Sequence, residues 1–305
     1  MKALVIGYGS IGTRHAKVLQ SLGLDVYVVS RRKIKFKQSY TSISSAINDK
    51  SFDYIIIASK TNEHHSDLIE LRSLGYKNSI LIEKPLFEKP YNSITNNNHN
   101  IFVGYNLRFN PLFKKLQKII YREKILSVIA YAGSYLPDWR PNSDYRKSYS
   151  AKKNEGGGVL RDLSHELDYL VYLLGAWESV TSLGGNFSQL GIDSDDIFSI
   201  MMKMNRCPIV SVHLNYLDRT PSRYVIVNTE QNTIKANFIE KTIKVDNQKE
   251  KFSYNRDMIY RRQHQAILDK DFSRNCTFEE GKNIVNLINN IEEIATSKTP
   301  LWIEN

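Results

Sequence analysis

The 305-residue chain holds only two cysteines, Cys207 and Cys276, with no close-spaced partners. That excludes a disulfide framework and a cysteine-rich zinc module, and buried thiols are the expectation. The seven histidines lack the spacing of a familiar zinc motif. Adjacent side chains such as those of His64 and His65 do not share a facing direction, so no metal is expected. No apolar run reaches the roughly eighteen residues of a membrane helix, and because Met1-Lys2 leads straight into a strand-like run, no cleavable leader is expected. A soluble, cytoplasmic protein is expected. Carboxylates are scarce, 32 against 42 lysines and arginines, which leaves a formal charge of +10. The basic residues are spread along the chain, the run 31–37 apart, so nucleic acid is a poor candidate partner and an anionic small molecule a better one.

What is present first is a pattern of glycines. The apolar run Ala3-Leu4-Val5-Ile6 leads straight into Gly7-Tyr8-Gly9-Ser10-Ile11-Gly12 and then into a segment that can bury one helical face. In a strand–turn–helix context, the first glycine supplies the tight turn. The second admits a pyrophosphate to the backbone, and the third lets helix and strand pack closely. The phosphates of a dinucleotide would then lie at the positive end of a helix over 10–22.

Hydrophobic residues make up 41% of the chain, enough for the cores of two domains. In the first third, runs at 3–6, 26–30, 53–58, 79–82 and 101–104 read as buried strands, with helices near 10–22, 42–48, 63–74 and 90–97. Such alternation predicts an α/β, doubly wound parallel sheet of the Rossmann type, with ligands at the carboxyl ends of its strands. A connecting helix is expected at 110–121, a strand at 125–135 and a glycine-led helix at 155–174. Strands at 177–186, 196–204, 208–216, 223–229, 233–238 and 242–246 then predict a second, α+β domain on a mainly antiparallel open sheet. Helices at 257–270 and 279–296 follow, with a stop at Thr299-Pro300; the asparagines of 96–100 read as turn and surface. The expected division is 1–120 for dinucleotide binding and 121–305 for substrate binding and oligomerisation, with a cleft between them. The uncovered sheet face suits a homodimer or homotetramer.

At the end of the second strand stands Val28-Val29-Ser30-Arg31-Arg32, with no carboxylate to accept ribose hydroxyls. Ser30, Arg31 and Arg32 suit a 2′-phosphate, so NADP is favoured over NAD. Lys84, after the fourth strand in Glu83-Lys84-Pro85, is placed to stabilise alkoxide character as a hydride leaves carbon. In the run from Glu155 to Tyr172, the residues Asp162, His165, Asp168, Tyr169 and Tyr172 recur at three- or four-residue intervals. A carboxylate beside an imidazole suits a proton-shuttling histidine. The same spacing equally describes a buried hydrogen-bonded patch that fastens a helix to a sheet.

The glycine turn, Glu83-Lys84-Pro85, the segment Gly104-Tyr105-Asn106-Leu107-Arg108-Phe109-Asn110-Pro111 and the run from Gly156 to Asp168 occur in an order that resembles the glucose-fructose oxidoreductase, inositol dehydrogenase and rhizopine-catabolism family. The resemblance covers essentially the whole chain and implies a nicotinamide-dependent sugar oxidoreductase. It implies that Lys84 is the active-site lysine, that Asp162 to Tyr172 lines the sugar site, and that His165 and Asp168 match polar family positions. Tyr172 stands where inositol-dehydrogenase-like members carry the catalytic histidine, so His165 or Tyr172 is the expected proton carrier.

The loop 58–65 resembles the family's Thr-Pro-Asn-x-x-His loop, implying that Ser59, Asn62 and His65 lie near the cofactor, with Asn62 capping a helix. Glu83 and Asn106 are implied on the cofactor side and Arg108 on the substrate side. Trp139, Arg140, Tyr145 and Arg146 resemble a block in bacterial members of surface-polysaccharide or nonulosonic-acid pathways. They imply recognition of a sugar or nucleotide-sugar, with a subunit contact as the other reading. Two further alternatives are reduction of a non-sugar carbonyl or imine, and a catalytically inactive sugar-nucleotide-binding protein.

Overall fold

A computed structural model describes residues 1–91, 100–297 and 302–304. It divides into two compact units, one of Met1–Phe109 with Asn255–Val285, the other of Asn110–Tyr254 with Asn286–Asn305.

The first unit is built on strands β1 (Lys2–Ile6), β2 (Asp25–Val29), β3 (Ser39–Tyr40), β4 (Tyr54–Ile57), β5 (Ser79–Ile82), β6 (Ile101–Val103) and the late β15 (Cys276–Thr277). Their order is β15-β6-β5-β4-β1-β2-β3. β1 pairs in parallel with both β2 and β4, so the strand order reverses at β1. That is the place where doubly wound sheets bind ligands. β4 is buried along its whole length and β1 beyond its first residue, which is why they read as unbroken apolar runs instead of alternating ones. Helix α1 (Ser10–Ser21) turns Gly12, His15, Ala16, Val18 and Leu19 toward the sheet. Helices α2 (Ile43–Asp49) and α3 (His64–Ser73) complete the first crossovers.

The second unit carries α4 (Pro111–Ile120), β7 (Ile125–Gly133), α5 (Val159–Asp162), α6 (His165–Leu174), β8 (Trp177–Gly185), β9 (Ile197–Met204), β10 (Cys207–Asn215) and β11 (Ser222–Thr229). β12 (Thr233–Asn237), β13 (Thr242–Val245), β14 (Gln248–Lys251) and β16 (Ile303–Glu304) extend its sheet, whose order is β14-β13-β12-β11-β7-β10-β9-β8-β16. Among the described residues of this sheet, only β7 and β10 pair in parallel. Alternation is clear along β9, where Phe198, Ile200, Met202 and Met204 are buried while Ser199, Met201 and Lys203 are exposed. Residues on the other side of the sheet include Ile129, Leu183, Met201 and Ile209, with exposures of 43, 76, 48 and 53%. Helices α7 (Arg256–Leu268) and α8 (Phe278–Thr296) close the chain, α7 within the first unit.

Three expectations are corrected. The division is not 1–120 and 121–305, because residues 255–285 return to the first unit. There β15 adds to β6, pairing Cys276 with Val103, and Gln263 donates to the Val103 carbonyl. The single glycine-led helix expected within 155–174 is two helices separated at Leu163 and Ser164, the first starting at Val159 after glycines with φ of 80° at Gly156 and 117° at Gly158. A Cβ on Gly158 would stand 2.2 Å from the Asp195 carboxylate. That carboxylate accepts from the Leu160 amide at 2.9 Å, so the glycines admit a structural cap for α5. Asn62 does not cap a helix: 61–63 form a 3-10 turn and α3 starts at His64 without a side-chain cap. The expectations for 92–97, for asparagines 96–98 and for Thr299-Pro300 fall outside the described residues.

Candidate functional site

The glycine turn has the form a dinucleotide cradle requires. Gly7 adopts φ +90° and its amide donates to the Val29 carbonyl at 3.0 Å. A Cβ there would meet the Ala58 carbonyl at 2.5 Å, and one on Gly12 would meet the Gly7 carbonyl at 1.9 Å. Gly9 differs, since a Cβ on it would meet nothing within 4 Å. Two glycines are thus demanded by the fold itself, while the middle one faces open space. Gly9 is also the N-cap of α1, which has neither a side-chain cap nor an acidic residue in its first turn. The amides around Ser10 and Ile11 are left to an anion, and an NAD diphosphate fits that charge.

At the end of β2 the side chains are engaged within the protein. Ser30 Oγ donates to the Arg32 carbonyl at 2.9 Å and accepts from the Arg32 amide, while Arg31 donates to Glu63 at 2.9 Å. Arg32 is exposed. Glu63 brings a carboxylate to the carboxyl end of β2, where residues 28–32 have none. After β4, Ser59 donates to Asp67 at 2.6 Å. Burial pushes the Asp67 carboxyl up to about 6, the Ser59 hydrogen bond working against it.

The loop after β5 is held by two histidines that sequence reasoning passed over. His64 Nδ1 donates to the carbonyls of Pro85 and Leu86 at 3.1 and 3.2 Å, and burial lowers its pKa. Its neighbour His65, expected near the cofactor, stacks on Tyr91, ring centroids 3.7 Å apart. Glu83 accepts from His15 Nε2 at 2.8 Å and from the Lys84 amide at 3.2 Å. Burial opposes its ionisation, but the His15 hydrogen bond and the Lys84 charge outweigh it and hold the Glu83 carboxyl below its ordinary range. Lys84 is half-buried and joins Pro85 through a cis bond. Asn106 is buried in the turn Asn106–Phe109. Arg108, expected on the substrate side, is 2% exposed and donates at 3.0 Å to the partly exposed Glu280.

In the second unit Asp162 is the centre of a polar cluster. Its two oxygens accept from Tyr149 at 2.7 Å and Tyr216 at 2.6 Å. Burial, and then Asp162 itself, push both phenols well above their ordinary range. The Trp139 ring stands edge-on to Tyr216 at 5.3 Å, and the Arg140 guanidinium lies 6.0 Å from the Tyr149 ring centre. Asp162, Trp139 and Arg140 are thus brought together. Tyr145 donates to the Leu190 carbonyl and Arg146 pairs with Asp144. On α6, His165 and Tyr172 are half-buried and Asp168 is fully buried. Tyr169 does not lie at a surface: it is fully buried with Phe113 and Phe238 at 5.7 and 6.0 Å. Glu166, between these positions, pairs bidentately with Arg223 at 2.8 and 3.0 Å and ties α6 to β11.

A doubly wound dinucleotide unit, joined to a second unit on a largely antiparallel sheet, is the architecture of a two-domain nicotinamide oxidoreductase. Residues 1–96 match the model of the oxidoreductase family with an NAD-binding Rossmann fold, and 113–234 match the GFO/IDH/MocA C-terminal domain. The chain belongs to the Gfo/Idh/MocA oxidoreductase family.

Among its relatives is levoglucosan dehydrogenase of Pseudarthrobacter phenanthrenivorans, 25% identical over 55% of this chain and 44% of that protein. Another is 2,7-anhydro-N-acetylneuraminate hydratase of Escherichia coli K12, 24% identical over 66% of this chain and 55% of that one. The aligned stretches thus span about half the length of these two proteins. The solved structure of levoglucosan dehydrogenase with NADH and levoglucosan superposes with a TM-score of 0.84 at 16% identity, covering 100% of this chain and 98% of that one. The WlbA dehydrogenase of Bordetella pertussis with NADH and UDP-GlcNAcA gives 0.80 at 15% identity over the same shares. The expected preference for NADP is corrected, because the cofactor held by these relatives is NADH. The engagement of Ser30 with Arg32 and of Arg31 with Glu63 supplies the physical reason. No helix among the described residues is long and apolar enough to cross a membrane.

Proposed function

We propose that the chain is an NAD-dependent oxidoreductase that moves a hydride between nicotinamide and a hydroxyl-bearing carbon of a sugar or nucleotide-sugar, in the making of a surface glycan or nonulosonic acid. The observation that carries this reading is the open Gly9 cradle on the same sheet as Glu83-Lys84-Pro85. Relatives named for an anhydro-sugar, an anhydro-neuraminate and a complex with UDP-GlcNAcA support the substrate class.

NAD, when bound, supplies the hydride acceptor. The Lys84 ammonium stabilises negative charge on the substrate oxygen as the hydride leaves its carbon, and His165 or Tyr172 takes the hydroxyl proton. Asp162 acts by holding Tyr149 and Tyr216, beside which Trp139 and Arg140 offer a ring face and a cation to the sugar or its phosphates. Asp168, Tyr145 and Arg146 complete the proposed substrate side. The exposed sheet face with Ile129, Leu183, Met201 and Ile209 is the surface proposed for a homodimer.

A panel of sugars and UDP-sugars assayed by NADH formation tests the reading. Lys84→Ala should lower turnover at least a hundredfold while NADH affinity changes less than threefold. Equal loss of both, or no NADH formed from any member of the panel, would reject it. A second reading, net addition of water to an anhydro-sugar acid, is favoured by the hydratase relative. It would be recognised by substrate consumption without accumulation of NADH.

A further inference from the structure

Four buried titratable groups in the first unit form one continuous hydrogen-bonded chain that the proposed chemistry does not use. Tyr54 Oη lies 3.0 Å from His264 Nδ1, His264 Nε2 lies 2.8 Å from His15 Nδ1, and His15 Nε2 lies 2.8 Å from Glu83 Oε1. They come from β4, α7, α1 and the end of β5, and His15 and His264 are 0% exposed. Edge-on contacts from Tyr260 to His15 and from Tyr54 to His264 fill the remaining space. Gly104 lets the carboxylate in, since a Cβ there would stand 3.0 Å from Glu83 Cδ.

With His15 neutral, donor counting gives this chain one direction. A carboxylate only accepts, so His15 donates from Nε2, and a neutral His15 then accepts at Nδ1. His264, kept neutral by burial, donates from Nε2 and accepts the Tyr54 proton at Nδ1. Every member is satisfied without placing an imidazolium in the core. The far end, Tyr54, is 1% exposed, so the chain has no outlet to solvent at that end. Its effect is at the near end, where the second Glu83 oxygen accepts from the Lys84 amide.

We propose that His15 and His264 are positioning residues that hold Glu83 as an oriented carboxylate under Lys84, fixing the lysine's backbone and favouring its charged form. This rests on the reading of Lys84 as the residue that faces the substrate oxygen. It is tested without substrate, so the two readings fail separately.

In protein carrying 15N-labelled histidine, long-range nitrogen–proton correlation at pH 7 should show both rings as the Nε2–H tautomer. An imidazolium at His15, or an Nδ1–H tautomer at His264, would overturn the chain. Site-resolved amine labelling at pH 8, read by peptide mass spectrometry, reports the charge of Lys84. Glu83→Gln should raise its labelling about tenfold, the equivalent of one pKa unit, with Lys37 as an unchanged control. His15→Leu should shift it in the same direction, and His15→Gln, which keeps a donor near the Nε2 position, should restore it. Unchanged Lys84 labelling in Glu83→Gln and His15→Leu would overturn the positioning role. A fall in melting temperature with no change in labelling would mark the chain as structural only and would overturn that role equally.

Discussion

The glycine turn separates two demands that ordinarily travel together, stability and cofactor binding. Gly12→Ala would put a methyl 1.9 Å from the Gly7 carbonyl, over an ångström inside any tolerable contact, with backbone on both sides. Overpacking in a well-packed core costs about 1–3 kcal/mol, and backbone against backbone belongs at the upper end. Gly9→Ala places its methyl in open space at φ −84°, which alanine adopts freely. It loses only the N-cap preference of glycine over alanine, on the order of 1 kcal/mol.

At about 2–4 °C per kcal/mol for a domain of this size, Gly12→Ala should melt roughly 6–12 °C lower and Gly9→Ala within about 4 °C of the parent. The order reverses for the cofactor relative to stability. The Gly9 methyl would occupy the space a diphosphate enters, so Gly9→Ala should bind NADH at least tenfold more weakly while fully folded. Thermal denaturation and NADH fluorescence titration on the same samples give both numbers. A folded Gly9→Ala that binds NADH like the parent would refute the assignment of that space.

Three other outcomes are expected. Asp67 and Asp195 have carboxyls raised to about 6 chiefly by burial, so the native state holds their protons more tightly than the unfolded chain. Their contribution is therefore full below about pH 4 and lost as pH rises through 6; urea denaturation should show Asp67→Asn recovering stability relative to the parent at pH 8 and not below pH 4. Glu63→Gln releases Arg31 and removes a negative charge near the end of β2, and should raise NADPH affinity relative to NADH by about tenfold in fluorescence titrations. Ile209→Glu, on the exposed sheet face, should convert a dimer to monomers in sedimentation velocity, and a parent that is already monomeric would remove that interface from the proposal.

The alternation of apolar runs and helices placed β1, β2, β4, β5 and β6 to within a residue or two, because parallel strands buried on both faces leave an unmistakable mark. β3, β15 and β16 are two residues long, too short to carry a period, and were not legible. The break in the 155–174 helix was hidden because glycines read locally as a lead-in to a helix. Their reason, the Asp195 carboxylate, lies 37 residues beyond Gly158. The His15–His264 pair is separated by 249 residues, so no spacing rule connects them. The arginines after β2 misled for a related reason: Glu63, which engages Arg31, is 32 residues downstream.

The return of residues 255–285 to the first unit has a consequence for synthesis. The sheet at the amino end emerges early from the ribosome, but the buried nitrogen of His15, the hydroxyl of Tyr54 and the outer edge of β6 gain their partners only with His264 and Cys276. The first unit to be made is thus among the last to be finished, and a nascent chain halted near residue 254 would carry a nucleotide fold with an open edge and two polar core groups left for water.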